Sequence, residues 1–513
     1  MNKNPARRIL LAAAATLLPG LAAAQLVPGP PPGFHYDAGL ALRETFTDNA
    51  QLQPAGYTHS DFISEVTPRL RVSENAGAFR GDLAYAPTVL LYQHEGTETR
   101  NFLNGKATAQ LVQNFLYVDA MSMITQERLA AIGANSTESN AQNSNRLESR
   151  NFGVSPYIRT RTDSGMLYSL RDNYSWTTTN ADGLGNFRSQ EILGHVESAP
   201  QTLGWQVDAE QHAYHYTGLP DLAFQVGRAM LDWRAGSDLT LSAGGGYEHN
   251  NVQVTSASNA IYGGGLDWRP SLLTRAQVRW EHRFFGANYL AGIAQRGINT
   301  AWSFNISRGL GNFVQSVSAQ PVGDTAALID NALQARVPDP NDRDQQVNDR
   351  MRNDAIPTTL IPAQSYLSRS LFIYERAELT GTWLGQVNSL AITLYRSSSR
   401  DLLDPTSPTT TGLLTTILAN TRVVTRGAGI TYLQRLSPTL NATVFASRAL
   451  IRIDFPSDQL AIQNLVRVQA TQKLNQTVNV FAGARVSTLR TDTAGSTSFT
   501  ERAAFGGLDL RFF

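Results

Sequence analysis

Eight histidines, at positions 35, 59, 94, 195, 212, 215, 249 and 282, are the first residues to test for chemistry. No G-x-S-x-G or H-E-x-x-H spacing accompanies them, so neither a nucleophile elbow nor a zinc-binding helix is written into the chain. His212 and His215 stand three apart in a stretch that reads as a strand. Odd spacing throws their rings to opposite faces, a poor arrangement for a shared metal. Asp339, Asp342 and Asp344 offer carboxylates to Ca²⁺, but the glycine and closing glutamate of a calcium loop are missing. A solvated, charged helix start accounts for them as well. A hydrolase would need a serine and a histidine paired on one face, and no such pair stands out. The expectation is a protein that is not an enzyme and carries no cofactor or metal.

Arginine is the more informative residue. On one phase of a series of alternating segments lie Arg69, Arg71, Arg159, Arg161, Arg171, Arg228, Arg234, Arg275, Arg279, Arg283, Arg376, Arg467 and Arg485. Glu65, Asp232, Glu281 and Glu378 share that phase, with Tyr157, Asn173, Asn441 and Phe445 between them. A guanidinium presents a planar fork suited to carboxylate or phosphate. Mutual pairing with the acids, which would simply satisfy a polar interior, is the alternative. Arg275, Arg279 and Arg283 recur every four residues, so an extended chain stacks them in one column with Gln277 and Glu281 between. Such a column is expected to favour anions, with Glu281 neutralising one member, and its replacement should cost little stability.

These residues must be positioned by strands. Phe62, Val66, Leu70 and Val72 alternate with Glu65, Thr67, Arg69 and Arg71. Residues 272–285, 297–308 and 476–489 repeat the pattern, for example Ala276, Val278, Trp280 and Phe284 against the arginine column. The final stretch, 501–513, sets Leu508, Leu510 and Phe512 against Phe505, Asp509 and Arg511. Recurrent period-two dyads mark transmembrane strands. Connectors alternate between long ones (49–60, 93–101, 130–147, 178–187) and tight ones (Ser73–Gly77, Asn114, Thr162–Gly165, Ala235–Asp238, Ser437–Thr439). That rhythm fits external loops and periplasmic turns, and does not fit a soluble sandwich. Asp172, between Leu170 and Tyr174 on an apolar phase, stands out against it.

The expected fold is all-β: a single large antiparallel barrel over residues 34–513, of about 22 strands, with 20 or 18 if the weak piece 313–320 is not one. Residues 1–24 read as a cleaved signal, with Lys3, Arg7 and Arg8, an apolar core Ile9–Leu18 and Ala22-Ala23-Ala24. Removing those three cations and no acid takes the formal charge from +1 to −2. That balance gives no reason to expect a nucleic-acid partner. Residues 25–33 form a proline-rich leader. With no cysteine in the chain, the fold needs a source of order other than disulfides, and a closed barrel in lipid supplies one. Residues 321–362 break the alternation and read as a partly helical insert, a lid, a plug or a surface excursion.

Several stretches are similar to outer-membrane β-barrel proteins of the PEP-CTERM/exosortase systems, which belong to a broader group of porin-like barrels. ETFTDNAQL (44–52), SDFISEVTPRLRV (60–72), LAYAP (83–87), FLYVDAMSMITQ (115–126) and PDPNDRDQQV (338–347) carry the resemblance. It implies a location in the outer membrane of a Gram-negative cell and a role beside exopolysaccharide synthesis and export. The expected function is a channel for exopolysaccharide. Its expected partners are outer-membrane lipid, the barrel-assembly machinery, the glycan and a periplasmic export complex. A small-solute porin and a structural or attachment barrel with a filled lumen are the alternatives.

Overall fold

A computed structural model describes residues 33–134, 140–143, 145–180, 186–199, 201–217, 221–251, 257–311, 371–402, 422–454, 458–492 and 498–512. The signal, nearly all of the leader, the piece 313–320, the insert 321–362 with its three aspartates, and Phe513 lie outside the described residues.

The described strands of the first half are β1 Phe34–Thr47, β2 Asp61–Ala76, β3 Phe79–Tyr85, β4 Thr88–Tyr92, β5 Gly96–Arg100, β6 Leu103–Val112, β7 Leu116–Glu127, β8 Leu147–Arg161, β9 Leu167–Thr179, β10 Phe187–Glu197, β11 Leu203–Tyr216 and β12 Leu222–Arg234. They continue as β13 Leu239–Asn250, β14 Ala257–Ser271, β15 Thr274–Arg283, β16 Gly286–Arg296, β17 Thr300–Gly311, β18 Phe372–Leu384, β19 Asn388–Asp401, β20 Arg422–Arg435, β21 Leu440–Ile453, β22 Gln459–Lys473, β23 Val478–Thr491 and β24 Phe499–Arg511. All lie in one sheet, and every pairing is antiparallel between neighbours in the wall. β1 pairs with β24 from Gly39↔Arg511 to Thr47↔Ala503, which closes the sheet into a barrel and leaves no free edge.

The 24 strand segments fill 22 wall positions. β3 and β4 both lie on β2 in one continuous register, Leu70↔Tyr85 passing to Val66↔Val89. β5 and β6 run on in the same way along β4 and β3. The break falls at Pro87, which has no N–H to give the ladder. So the connector expected over 93–101 is shorter: Gly96–Arg100 is strand β5, and its Glu98 and Arg100 face a lumen instead of solvent above the barrel. The count of 22 is reached among the described residues without the piece 313–320.

Turns at one end are tight, as at Gly77, Asn114 and Gly165, each with positive φ. The longer connections gather at the other end, with Gln93–Glu95 and Phe284-Phe285 short exceptions. Glycines face each other in the wall at Gly244↔Gly263, and Gly246 lies opposite Arg228. A Cβ on Gly246 would overlap the Gly227 carbonyl, so this close approach requires glycine.

Which face looks inward follows from convergence. Arg228 on β12 reaches Glu281 on β15, and Arg485 on β23 reaches Asn140 beyond β7; such cross-wall contacts exist only on the concave side. The convex face carries Phe46, Leu70, Trp205, Trp233, Trp280, Trp302, Phe304, Leu394 and Val468, all exposed. No helix among the described residues is long and apolar enough to cross a membrane. Asp172 does lie on the convex face, where Gln190 donates to both its oxygens at 3.1 Å.

Candidate functional site: the lumen

Register places Arg69, Arg71, Arg159, Arg161, Arg171, Arg275, Arg279, Glu281, Arg283, Arg376 and Arg485 on the concave face. They do not form one field of free cations. Arg69 meets Asp509 at 2.6 Å and Arg71 meets Asp82 at 2.8 Å, toward the tight-turn end. Arg171 pairs with Asp119 and lies 4.6 Å over the Tyr157 ring, which stacks on Tyr117. Arg376 holds Glu378 at 2.6 Å. Arg161 is spent on the turn, donating to the Gly165 carbonyl at 2.5 Å. Arg159 is exposed and has no ion pair among the described residues.

The arginine column on β15 is divided. Arg275 pairs with Asp267 at 2.9 Å, and Arg283 with the fully buried Glu248 at 2.7 Å. Glu281 turns to Arg228 at 3.4 Å, away from the column it was expected to neutralise. Arg279 alone of the three has no acid partner among the described residues. The reason is geometric: side chains converge on the concave side, so Arg283 reaches Glu248 on β13 and Glu281 reaches Arg228 on β12.

The inward acids exceed the four read from the sequence. Asp119, Glu191, Asp208, Glu210, Glu248 and Glu501 also face the lumen. Parity held the signal: in β11, Trp205, Val207 and Ala209 alternate with Gln206, Asp208, Glu210 and His212. Arg228 sits among Asp208 at 3.2 Å, Glu210 and Glu281. His212 lies between Glu210 at 3.2 Å and Glu191 at 3.6 Å, with its ring stacked 4.2 Å from Phe224. His215 is on the convex side, paired with Asp221.

The opposite wall is dry. Arg485 and Glu501 are each 1% exposed and meet at 2.6 Å. Beside them the connection that follows β7 folds into the barrel. Asn140 has no exposed surface. Its amide donates to Glu65 at 2.9 Å and to Thr45 at 3.2 Å, and its Oδ1 accepts from Arg485 at 2.9 Å. Its carbonyl accepts from Tyr92, and the Ala141 carbonyl from Arg100 at 2.9 Å. Above these polar contacts Ala141 joins Leu52, Val423, Ile451, Ala461, Leu489 and Phe499 in an apolar cluster. Next to Arg100, burial followed by that residue's charge brings the Arg146 guanidinium down to about 10.

No protein-family model and no curated protein matches the chain. Solved structures do. The FrpB iron transporter of Neisseria meningitidis is 10% identical with a TM-score of 0.47, over 93% of this chain and 81% of that one. The siderophore receptor PirA of Pseudomonas aeruginosa is 9% identical with a TM-score of 0.41, over 94% and 81%. OccK3 (OpdO) of the same organism is 9% identical with a TM-score of 0.34, over 93% and 96%.

The lumen therefore has two chemistries. From β7 to β15 the wall offers partly exposed Arg–carboxylate pairs with stacked tyrosines, the buried Arg283–Glu248 pair excepted. Toward the loop end of β1, β2 and β22–β24 it is occupied by Asn140–Gln142, and Arg485, Glu501, Glu65 and Thr45 are buried there. The inward fold of this connection was not foreseen. Its one sequence signal is the small apolar run LAAIGA (129–134), of which Ala131, Ile132 and Ala134 pack on the apolar cluster.

Proposed function

We propose that this chain is an outer-membrane channel protein that passes polar, hydroxyl-rich solutes, and that its cellular task is exopolysaccharide export beside a periplasmic export complex. The membrane reading is supported by the convex belt of exposed tryptophans, phenylalanines and aliphatics, which no soluble barrel would leave in water. A barrel of 22 wall positions has room for an aqueous path. Cleavage of the signal and help from barrel-assembly machinery belong to the same proposal.

The observation that carries the glycan reading is the wetted wall from β7 to β15. It combines the stacked Tyr117–Tyr157 pair at 5.0 Å with forked Arg–carboxylate pairs. Rings offer flat faces to sugars, and the pairs exchange hydrogen bonds with hydroxyls without binding any one charge tightly. Passage through a channel demands weak contacts at many sites.

A small-solute porin is the second reading, favoured by Asn140–Gln142, which narrow the loop end of the lumen. Planar-bilayer recording of the full chain separates the two. Glycan export predicts an open conductance that linear polysaccharide interrupts from the tight-turn side. The porin reading predicts the same conductance without interruption. A silent bilayer would remove both and leave a structural barrel.

A further inference from the structure

On the convex face of β19–β21 the apolar rows run into arginine, with Leu450 directly opposite Arg426. Reading from the tight-turn end, Leu390, Ile392 and Leu394 lead to Arg396; Tyr432, Ile430 and Ala428 lead to Arg426; Ala442, Val444 and Ala446 lead to Arg448. Each arginine stands eight or nine residues from its tight-turn end, about 20 Å up the barrel axis at ordinary strand rise and tilt. The three are therefore level, near the top of a hydrocarbon layer about 25 Å tall.

Arg396 and Arg426 are direct cross-strand partners, and Arg448 sits diagonal to Arg426, opposite Ala428. Direct partners have Cβ atoms about 5 Å apart, and like charges there are destabilising. All three are exposed, and none has an acid partner among the described residues. The nearest convex-face acids are engaged elsewhere: Glu375 with Arg308 at 3.5 Å, Asp454 with Arg452 at 3.1 Å, and Asp458 with Arg452 at 2.8 Å. Higher up, Arg400 stands directly opposite Arg422, which pairs with Asp454 at 3.6 Å.

We propose that Arg396, Arg426 and Arg448 form a binding site for the phosphorylated headgroup of an outer-leaflet glycolipid. The inference rests on the membrane reading above. Three guanidinium forks, held by strands at the height where acyl chains give way to headgroups, match a phosphate's oxygens in charge and geometry. A bound phosphate converts the repulsion between Arg396 and Arg426 into shared attraction. The aliphatic rows beneath them would receive the acyl chains.

The test uses the full chain refolded in neutral detergent, with lipid A, phosphatidylglycerol or inorganic phosphate added separately. Lipid A should raise the temperature of the heat-modifiable transition; inorganic phosphate at equal concentration should not. Changing all three arginines to glutamine should abolish that rise and weaken lipid A binding on the order of a hundredfold. The corresponding lysine variant should keep most of it. Without lipid, Arg426→Gln should leave the transition unchanged or raise it, because a repulsion is removed. Equal lipid A binding by wild type and the glutamine variant, or equal stabilisation by inorganic phosphate or phosphatidylglycerol, would overturn the site. Recovery of the protein outside the outer-membrane fraction would instead overturn the membrane reading.

Discussion

Two walls of one lumen use the same pair of residue types for opposite ends. On β23 and β24, Arg485 and Glu501 are 1% exposed, and Arg485 also donates to Asn140 in a connection hundreds of residues away. On β11 and β12, Arg228 and Glu210 are about one-fifth exposed, and each has further charged neighbours. An ion pair cut off from water depends on its single partner, because the surviving charge has nowhere to turn. A pair open to a wet lumen is held loosely, since solvent and second partners share the load. The lesson is that facing the lumen does not define a role. What decides between scaffold and conduit is whether another part of the chain covers the pair.

The comparison breaks most visibly at Glu501. Replacing it with Ala strands the Arg485 guanidinium in a dry pocket and should cost about 3–5 kcal/mol. The heat-modifiable transition should fall by many degrees, and less protein should reach the membrane fraction. Glu210→Ala should lower the same transition far less, because Arg228 keeps Asp208 and Glu281. Equal losses from the two variants would mean that the walls do not differ as described.

Asn140 comes next. Asn140→Ala removes one acceptor and one donor that tie the inward segment to Arg485, Glu65 and Thr45. Leaving those buried groups unmatched costs about 1–3 kcal/mol. Most of that falls on the docked segment and little on the wall ladders. Single-channel conductance should rise with the barrel still folded. A conductance identical to wild type would show that the segment does not restrict the path. A smaller effect is expected from Arg228→Gln, which unbalances the wetted wall: Asp208, Glu210 and Glu281 lose their shared cation, and reversal-potential measurements should move toward cations.

The strands were legible because each carries its own evidence. Val278 and Trp280 oppose Arg279 and Glu281 whatever the rest of the chain does, and closure between β1 and β24 follows once both ends alternate. Polar residues inside a strand were harder to read. Gly96–Arg100 looked like a loop because glutamate, threonine and arginine are as much at home above a barrel as inside one. Acids such as Glu248 were hidden behind glycines, where the alternation has no apolar partner to show it. The inward fold at Asn140 was out of reach for another reason. Its partners Thr45, Glu65 and Arg485 are far away in sequence, and no local period records a contact at that distance.

The smallest expected effect divides the β15 column. The sequence alone treats Arg275, Arg279 and Arg283 as equivalent, and on that view replacing all three with Gln shifts selectivity without touching stability. The structure separates them. Arg283 is the buried partner of Glu248, whose other oxygen accepts from the Phe284 amide at the top of the strand. Losing Arg283 leaves a fully buried carboxylate without its cation, so the triple variant should be clearly destabilised. Arg275 shares Asp267 with Arg269, at 2.9 Å and 2.8 Å, in an exposed cluster that tolerates its loss. Arg279 faces the lumen, is exposed and has no acid to leave behind. Arg279→Gln should therefore keep the wild-type heat-modifiable transition within about 0.5 kcal/mol and move the reversal potential slightly toward cations. If Arg279→Gln matched the triple variant in stability, the division of the column would be wrong. If it left selectivity untouched while Arg228→Gln changed it, the conducting path would run along β11 and β12 and bypass β15.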